Sequence, residues 1–85
     1  MPKVLMYSSA ICPFCRQAAS LLAKKEAEVE IRSVDGDMEV RQEMMNRSGR
    51  HTVPQIFIGE HHVGGCDDLY ELEAMGELDE LLSAA

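Results

Sequence analysis

Two cysteines separated by two residues are the part of this sequence with the clearest chemical potential. Cys12 and Cys15 enclose Pro13 and Phe14 in the motif CPFC, and a third cysteine, Cys66, lies far along the chain. A pair with this spacing can form a structural disulfide, supply half of a metal site or act as a redox-active dithiol. Each possibility predicts a different kind of protein, and the rest of the sequence distinguishes between them.

The disulfide and the metal site fit the sequence poorly. A disulfide across two residues closes a very small loop, so it contributes little to stability. A zinc site needs about four ligands. The available ligands are Cys12, Cys15 and Cys66 with either His61 or His62. Because the chain has no second Cys-x-x-Cys pair, we expect no metal site and favour a redox-active dithiol.

A redox dithiol needs one thiol that ionises readily, and the start of a helix favours the thiolate form. Pro13 suits the first position of a helix because it has no N–H to leave unpaired, which puts Cys12 at the N-cap. The free amides of Phe14 and Cys15 are then expected to point at the Cys12 sulfur. We expect Cys12 to be the nucleophile and Cys15 the resolving thiol. Arg16 adds nearby positive charge.

The apolar pattern predicts the elements that must position this pair. Four short runs are predicted as strands, at residues 3–7, 28–34, 55–58 and 61–65. Helices are predicted at residues 13–25, at 38–48 with a stop at Gly49, and at 67–85 with a break at Gly76. The order β-α-β-α-β-β-α, with a C-terminal helical extension, indicates an α/β fold with a four-stranded mixed sheet flanked by helices. The cysteine loop then follows the C-terminal end of the first strand.

Size and charge restrict the functions further. The 85 residues predict a single domain over 1–85. The formal net charge of -7 argues against binding to nucleic acid. No charged leader or long apolar run is present, so we expect no membrane segment and a cytoplasmic location. Three cysteines do not fit the paired framework of a small secreted domain. No obvious apolar patch suggests self-association, so we expect a monomer.

Two further stretches carry recognisable local chemistry. In TVPQIFI, Pro54 enters a predicted strand, where its missing N–H indicates an edge position or a cis turn. In GGCDDL, Gly64 and Gly65 precede a helix with an acidic first turn. Free backbone amides at such a helix start suit the carboxylate of an amino acid.

The motifs CPFC, TVPQIFI and GGCDDL, in this order and at these separations, resemble the glutaredoxin family, in particular its small bacterial dithiol class. The similarity runs from Val4 to about Leu82. It implies the thioredoxin fold and the reduction of protein disulfides and protein–glutathione mixed disulfides. Glutathione is then the reducing co-substrate, with no permanently bound cofactor. The implied partners are disulfide-containing or glutathionylated proteins, and ribonucleotide reductase is one client of the family.

The resemblance also implies how glutathione binds. The Val53 backbone, before a cis-Pro54, would pair with the cysteinyl part of glutathione. The amides around Cys66 and Asp67 would receive the γ-glutamyl carboxylate, and the Asp67 side chain would receive the ammonium. Arg41 occupies the position that contacts the glycine carboxylate. The implied binding residues are Pro13, Phe14, Arg41, Thr52, Val53, Pro54, Gly65, Cys66 and Asp67.

One position departs from the family pattern, and two other functions stay open. Many relatives carry a lysine where this chain has Ser9, so one anchor for a glutathione carboxylate is missing. A carrier of a [2Fe–2S] cluster shared by two subunits usually has CGFS or a small residue in place of Pro13. A thioredoxin-like reductant would carry WCGPC. Cys66 is expected to pack in the glutathione loop rather than to form a second redox centre.

Overall fold

The computed structural model describes residues 2–83, which form a four-stranded mixed sheet with helices on both faces. The strands are β1 (Val4–Ser8), β2 (Val29–Ser33), β3 (Gln55–Ile58) and β4 (His61–Gly64). The helices are α1 (Pro13–Lys24), α2 (Met38–Ser48), α3 (Cys66–Ala74) and α4 (Glu77–Ser83). This element order is the predicted one. The last two residues of the predicted helical extension, Ala84 and Ala85, lie outside the described residues.

The strand order is β2-β1-β3-β4. β1 runs parallel to β2 and antiparallel to β3, and β3 runs antiparallel to β4. Because β1 and β2 are parallel, α1 must cross from one end of the sheet to the other, as in a βαβ unit. The loop of residues 9–11 leaves the C-terminal end of β1 and leads directly into α1. The cysteine pair therefore lies at the edge of the sheet that was predicted.

Each face of the sheet has its own apolar core. Successive side chains of a strand point to opposite faces, so Val4 and Met6 pack on one side while Tyr7 packs on the other. The first core is covered by α1, α3 and α4, and its buried helical residues are Ala18, Leu21, Leu22, Cys66, Leu69, Leu78 and Leu82. The second is covered by α2 through Val40 and Met44. β3, one of the two inner strands, is buried along its whole length.

The helix ends follow the expected chemistry. Asp37 caps α2 by accepting a hydrogen bond from the Val40 N–H at 3.0 Å. Gly49 ends the same helix with a φ of 71°, a left-handed conformation that glycine adopts without strain. Lys25, just after α1, pairs with Glu73 at 2.8 Å and with Asp79 at 2.9 Å, and so joins α1 to α3 and α4.

The boundaries differ from the predicted ones by a residue or two. β1 is displaced by one residue and β2 is shorter at both ends. Gly65 was predicted as strand and is instead the N-cap of α3, which therefore begins at Cys66 rather than Asp67.

None of the helices within residues 2–83 has the length and apolar character needed to cross a bilayer.

The packing of α4 gives a first prediction. Leu78 is fully buried in the first core, whereas Leu81 is only partly buried against it. We expect Leu78→Ala to lower the free energy of unfolding by about 2–5 kcal/mol, since it removes buried methyl groups and leaves a cavity. Leu81→Ala should cost about 1 kcal/mol. Urea denaturation of both variants tests this. Equal losses in the free energy of unfolding would contradict the expectation that Leu78 contributes more than Leu81 to the packing of α4.

Candidate active site

The Cys12 thiol lies at the start of α1, as predicted. Cys12 is the N-cap residue with an extended backbone, at φ -97° and ψ 110°, and Pro13 takes the first helical position. The Cys15 N–H donates a hydrogen bond to Cys12 Sγ at 3.2 Å. The amides of Phe14 and Cys15 were both expected to point at the sulfur, and within residues 2–83 the Cys15 amide is the one that forms a hydrogen bond to it. The Cys12 sulfur thus lies at the positive end of the α1 dipole with one backbone N–H directed at it.

The Cys12 sulfur also faces the loop that precedes β3. Its Sγ lies 3.8 Å from the carbonyl oxygen of Val53, and the Val53–Pro54 peptide bond is cis, as the resemblance implied. Cys12 is partly exposed. Two loops that are far apart in the sequence thus meet at a thiol that solvent and substrates can reach.

The other two thiols are in a different environment. Cys15 and Cys66 are buried, with 3% and 5% of their surface exposed. Burial raises the pKa of Cys15, and the hydrogen bond with Cys12 raises it further, while smaller contacts act in the opposite direction. Burial is also the main cause that raises the pKa of Cys66, followed by the charge of Asp67. Both thiols are therefore held in the protonated, poorly nucleophilic form.

A groove of about 200 Å³ runs between the loop before β3 and the start of α3. Its lining residues are Phe14, Arg50, Thr52, Val53, Pro54, Gln55, Gly65, Cys66, Asp67 and Asp68. Seven predicted binding residues, contributed by three separate segments of the chain, are thus brought together. Pro13 and Arg41 are not among the lining residues. Arg41 lies near the Asp35 carboxylate.

A larger depression of about 680 Å³ lies at the other end of the sheet. It is lined by Pro2, Lys3, Glu26, Glu28, Val29 and Glu30. None of these residues carries a thiol, and they surround the N-terminal ends of β1 and β2, opposite the cysteine loop. The chemistry of the lining, rather than the size of the depression, therefore marks the smaller groove as the candidate site.

An ion pair holds one end of the groove together. The Asp68 carboxylate accepts a hydrogen bond from the Gly65 N–H at 2.9 Å and pairs with Arg50 at 3.0 Å. The Gly65 hydrogen bond, followed by Arg50, holds the pKa of Asp68 below its usual range. Asp68 therefore stays ionised and joins the start of α3 to the loop before β3. Neither member of the pair was predicted, although the Gly65-x-x-Asp68 spacing is typical of a helix cap.

The first glycine of GGCDDL is required by this ion pair. Gly64 has a φ of 113°, which L side chains rarely adopt. A Cβ at this position would lie 2.9 Å from Asp68 Cγ and 3.1 Å from Arg50 Nη1. These distances leave no room for a side chain, so a glycine at residue 64 lets the carboxylate and the guanidinium meet.

A buried glutamine fixes the backbone of the loop before β3. Gln55 is fully buried in the first position of β3. Its Nε2 donates to the carbonyl oxygen of Thr52 at 3.0 Å, and its Oε1 lies 2.8 Å from His62 Nε2. Burial, followed by the charge of Arg50, lowers the pKa of His62, so the neutral ring donates to the glutamine. Gln55 was not predicted as a site residue, and its polarity within an apolar strand was the available signal.

The remaining sequence predictions concern metal binding and Ser9. Among residues 2–83, no three His, Cys, Asp or Glu side chains are close enough to hold a metal ion, so the nominal Cys₃His set does not assemble. The Ser9 hydroxyl donates to the Asp35 carboxylate at 2.7 Å. Ser9 therefore contacts a neighbouring turn and not the groove.

The contrast between the three thiols gives a second prediction. At about pH 6, iodoacetamide should alkylate Cys12 at least about tenfold faster than Cys15 or Cys66, because only Cys12 is accessible and accepts an amide hydrogen bond. Site-specific alkylation is measured by peptide mass spectrometry on the native protein. The same measurement in urea is the control, since unfolding should bring the three rates together. Faster alkylation of Cys15 or Cys66 in the native protein would overturn the assignment.

Comparison with known proteins places this arrangement in a family. A family model described as Glutaredoxin matches residues 4–63. The chain is 51% identical over 84 residues to Glutaredoxin of Pseudomonas aeruginosa, covering 99% of this chain and 100% of that protein. It is 50% identical over 82 residues to Glutaredoxin 3 of Escherichia coli, covering 96% of this chain and 99% of that protein.

Solved structures agree with these relatives. The solution structure of glutaredoxin from Brucella melitensis matches with a TM-score of 0.85 and 54% identity, covering 96% of this chain and 89% of that one. The crystal structure of a buckwheat glutaredoxin–glutathione complex matches with a TM-score of 0.86 and 26% identity, covering 94% and 76%. The fold is thus the thioredoxin fold, as predicted. The chain belongs to the glutaredoxin family and is a thiol–disulfide oxidoreductase.

Proposed function

We propose that this oxidoreductase uses glutathione as its electron donor and Cys12 as its nucleophile. The observation that carries the proposal is the accessible N-cap thiol of Cys12, with its sulfur 3.8 Å from the carbonyl oxygen of Val53 on the groove wall. A molecule in the groove can therefore present a sulfur to Cys12. The similarity to a glutaredoxin that was solved with glutathione supports the identity of that molecule.

With a protein–glutathione mixed disulfide, the Cys12 thiolate attacks the glutathione sulfur. The mixed disulfide breaks, the client cysteine leaves as a thiolate that takes up a proton, and a Cys12–glutathione disulfide forms. The thiolate of a second glutathione then attacks the glutathione sulfur of this disulfide. Oxidised glutathione leaves and the Cys12 thiolate is regenerated, so the net reaction consumes one molecule of glutathione for each mixed disulfide that is reduced. This route does not need Cys15.

With a disulfide inside one protein, both cysteines are needed. Cys12 attacks one client sulfur and forms a mixed disulfide with the client. Cys15, one helical turn away, loses its proton and attacks the Cys12 sulfur, which releases the client as a dithiol and leaves a Cys12–Cys15 disulfide. Two molecules of glutathione then reduce the enzyme. The raised pKa of Cys15 keeps it protonated until the mixed disulfide has formed.

We further propose the predicted orientation of glutathione. The free amides at the start of α3 would receive the γ-glutamyl carboxylate, with the exposed Asp67 near the ammonium. The Val53 backbone would pair with the cysteinyl part. The glycine carboxylate would then point out of the groove towards α2, where Arg41 lies near Asp35. The position of Arg41 outside the groove is compatible with this role.

The cellular setting is also part of the proposal. A dithiol that is reduced by glutathione works where thiols are kept reduced, which is the cytoplasm. The clients would be glutathionylated or disulfide-containing proteins that bind a monomer through the exposed surface around Cys12. Ribonucleotide reductase, which the resemblance suggests, is a specific client to test.

The two routes predict different losses for the two cysteines. Cys15→Ser should retain at least about a third of the activity on a small glutathione mixed disulfide, because glutathione itself completes that cycle. It should lose the reduction of an intramolecular protein disulfide. Cys12→Ser should be inactive on both substrates. The assay couples glutathione and glutathione reductase to NADPH oxidation.

Cys66→Ser is the matched control for loss of a buried thiol: the Cys66 side chain packs in the first core and only its backbone amide is proposed to meet glutathione, so the variant should retain most of its activity on both substrates. Equal loss from Cys12→Ser and Cys15→Ser on the mixed disulfide would refute the division of roles. Normal activity without glutathione would refute glutathione as the donor.

The proposed contact of Arg41 gives a further prediction. Arg41→Gln should raise the KM for a glutathionylated peptide by no more than about fivefold with little change in kcat, because an exposed ion pair contributes about 0.2–1 kcal/mol. The difference should shrink as salt is added. Lys24→Gln removes the same charge from the far end of α1 and should leave KM unchanged. If Arg41→Gln and the wild type have the same KM at low salt, Arg41 does not contact the glycine carboxylate.

A further inference from the structure

The loop that carries Cys12 into α1 has little apolar packing to hold it. Within residues 9–11, Ser9 is only partly buried, and Ala10 and Ile11 are exposed. Ile11, the residue directly before Cys12, has 86% of its surface in contact with solvent. The position of this loop must therefore depend on polar contacts rather than on burial.

Two of those contacts meet at the Asp35 carboxylate, and another comes from Arg16 Nη2, which lies 3.5 Å from the Ala10 carbonyl oxygen. Asp35 Oδ1 accepts a hydrogen bond from the Ser9 hydroxyl at 2.7 Å, and Oδ2 accepts one from the Ala10 N–H at 2.8 Å. The Ser9 carbonyl oxygen in turn accepts a hydrogen bond from the Cys12 N–H at 3.3 Å. Residues 9–12 thus form a turn that ends at the nucleophile and whose first two residues are held by the same side chain.

Asp35 can act as an anchor because its own backbone is fixed. Its N–H donates to the Ser33 hydroxyl at 3.1 Å. The preceding residue, Val34, is buried, and its N–H donates to the Ser8 carbonyl oxygen at 2.9 Å, which extends the pairing of β1 with β2. The backbone of Asp35 is therefore fixed next to the sheet, and its side chain forms hydrogen bonds to a loop that lies outside the sheet.

The charge state of Asp35 matches this role. The Ala10 N–H, followed by the Ser9 hydroxyl, holds the pKa of the Asp35 carboxyl below its usual range. A carboxyl group with a depressed pKa stays ionised at neutral pH, and an ionised carboxylate can accept at both oxygens at once. Both contacts are thus available under the conditions in which a thiolate reacts.

We propose that Asp35 is a positioning residue for the nucleophile: through Ser9 and Ala10 it sets where the Cys12 sulfur lies relative to the groove. The inference builds on the proposed function, in which Cys12 attacks a disulfide held there. Attack on a disulfide requires a defined approach of sulfur to sulfur, and small displacements of a reacting group slow such reactions strongly. Loss of the anchor should therefore affect reactivity as well as stability.

Three variants test the role of Asp35. Asp35→Ala removes both contacts and should lower both the alkylation rate of Cys12 and the kcat/KM for a glutathionylated peptide by about threefold to thirtyfold. Asp35→Asn should stay within about twofold of wild type, since its Oδ1 can accept from Ala10 and its Nδ2 can donate to Ser9 Oγ. Asp37→Ala is the matched control, because it removes a nearby carboxylate whose recorded hydrogen bond caps α2 through the Val40 N–H and does not involve the cysteine loop. It should lower the Tm and leave both rates within about twofold of wild type.

The rates are measured well below each variant's unfolding temperature. If Cys12 in Asp35→Ala is alkylated at the wild-type rate, or if Asp37→Ala slows alkylation as much as Asp35→Ala does, Asp35 contributes only to stability. Equal slowing in Asp35→Asn and Asp35→Ala would assign the effect to charge and overturn positioning through the two contacts. Because alkylation of Cys12 needs no glutathione, it also separates this inference from the proposed function. If the wild-type protein does not turn over glutathione, but the variants show the expected differences in Cys12 alkylation, only the proposed function is refuted.

Discussion

The chemistry of this protein depends on a helix whose N-cap residue is a cysteine. N-cap positions usually carry an oxygen that accepts a backbone N–H, and here the Cys12 sulfur accepts the Cys15 N–H. The same hydrogen bond starts the helix and places a stabilising donor on the sulfur. It also sets the position of Cys15, because the donor amide belongs to the residue whose thiol is buried one turn away. Because α1 begins at Pro13, the Cys12 thiol lies at the end of the helix and is accessible, whereas the Cys15 thiol lies one turn inside and is buried.

The groove wall is assembled by polar contacts between segments that are far apart in the sequence. Asp68 connects the start of α3 to Arg50, and Gln55 connects the base of β3 to Thr52 and His62. Side chains in such contacts can be worth more than their pairwise sum when every partner is satisfied. Among the described residues, no buried side-chain nitrogen or oxygen lacks a hydrogen-bond partner.

The fold could be predicted from local pattern because each element carries its own signal. The apolar alternation of the strands, Pro13 at the start of α1 and Gly49 at the end of α2 are all readable within a few residues. The motif residues of the groove were indicated by the resemblance of their motifs to the glutaredoxin family. Arg50 and Asp35 could not be predicted, since their importance lies in partners that are 18 to 26 residues away in the chain. Spacing likewise indicates that the Phe14 and Cys15 amides are free, but it does not show which of the two forms a hydrogen bond to the Cys12 sulfur.

The order of these segments along the chain has a consequence for biosynthesis. The redox pair lies within the first fifth of the sequence, whereas the groove wall made by Gly64, Gly65 and Asp68 comes in the last third. Domains emerge from the ribosome N-terminus first, so Cys12 is synthesised well before the residues that complete its binding site. During that interval the nascent chain carries a thiol without the surface that selects its partners. The groove beside the Cys12 thiol is therefore completed only after the start of α3 has been translated.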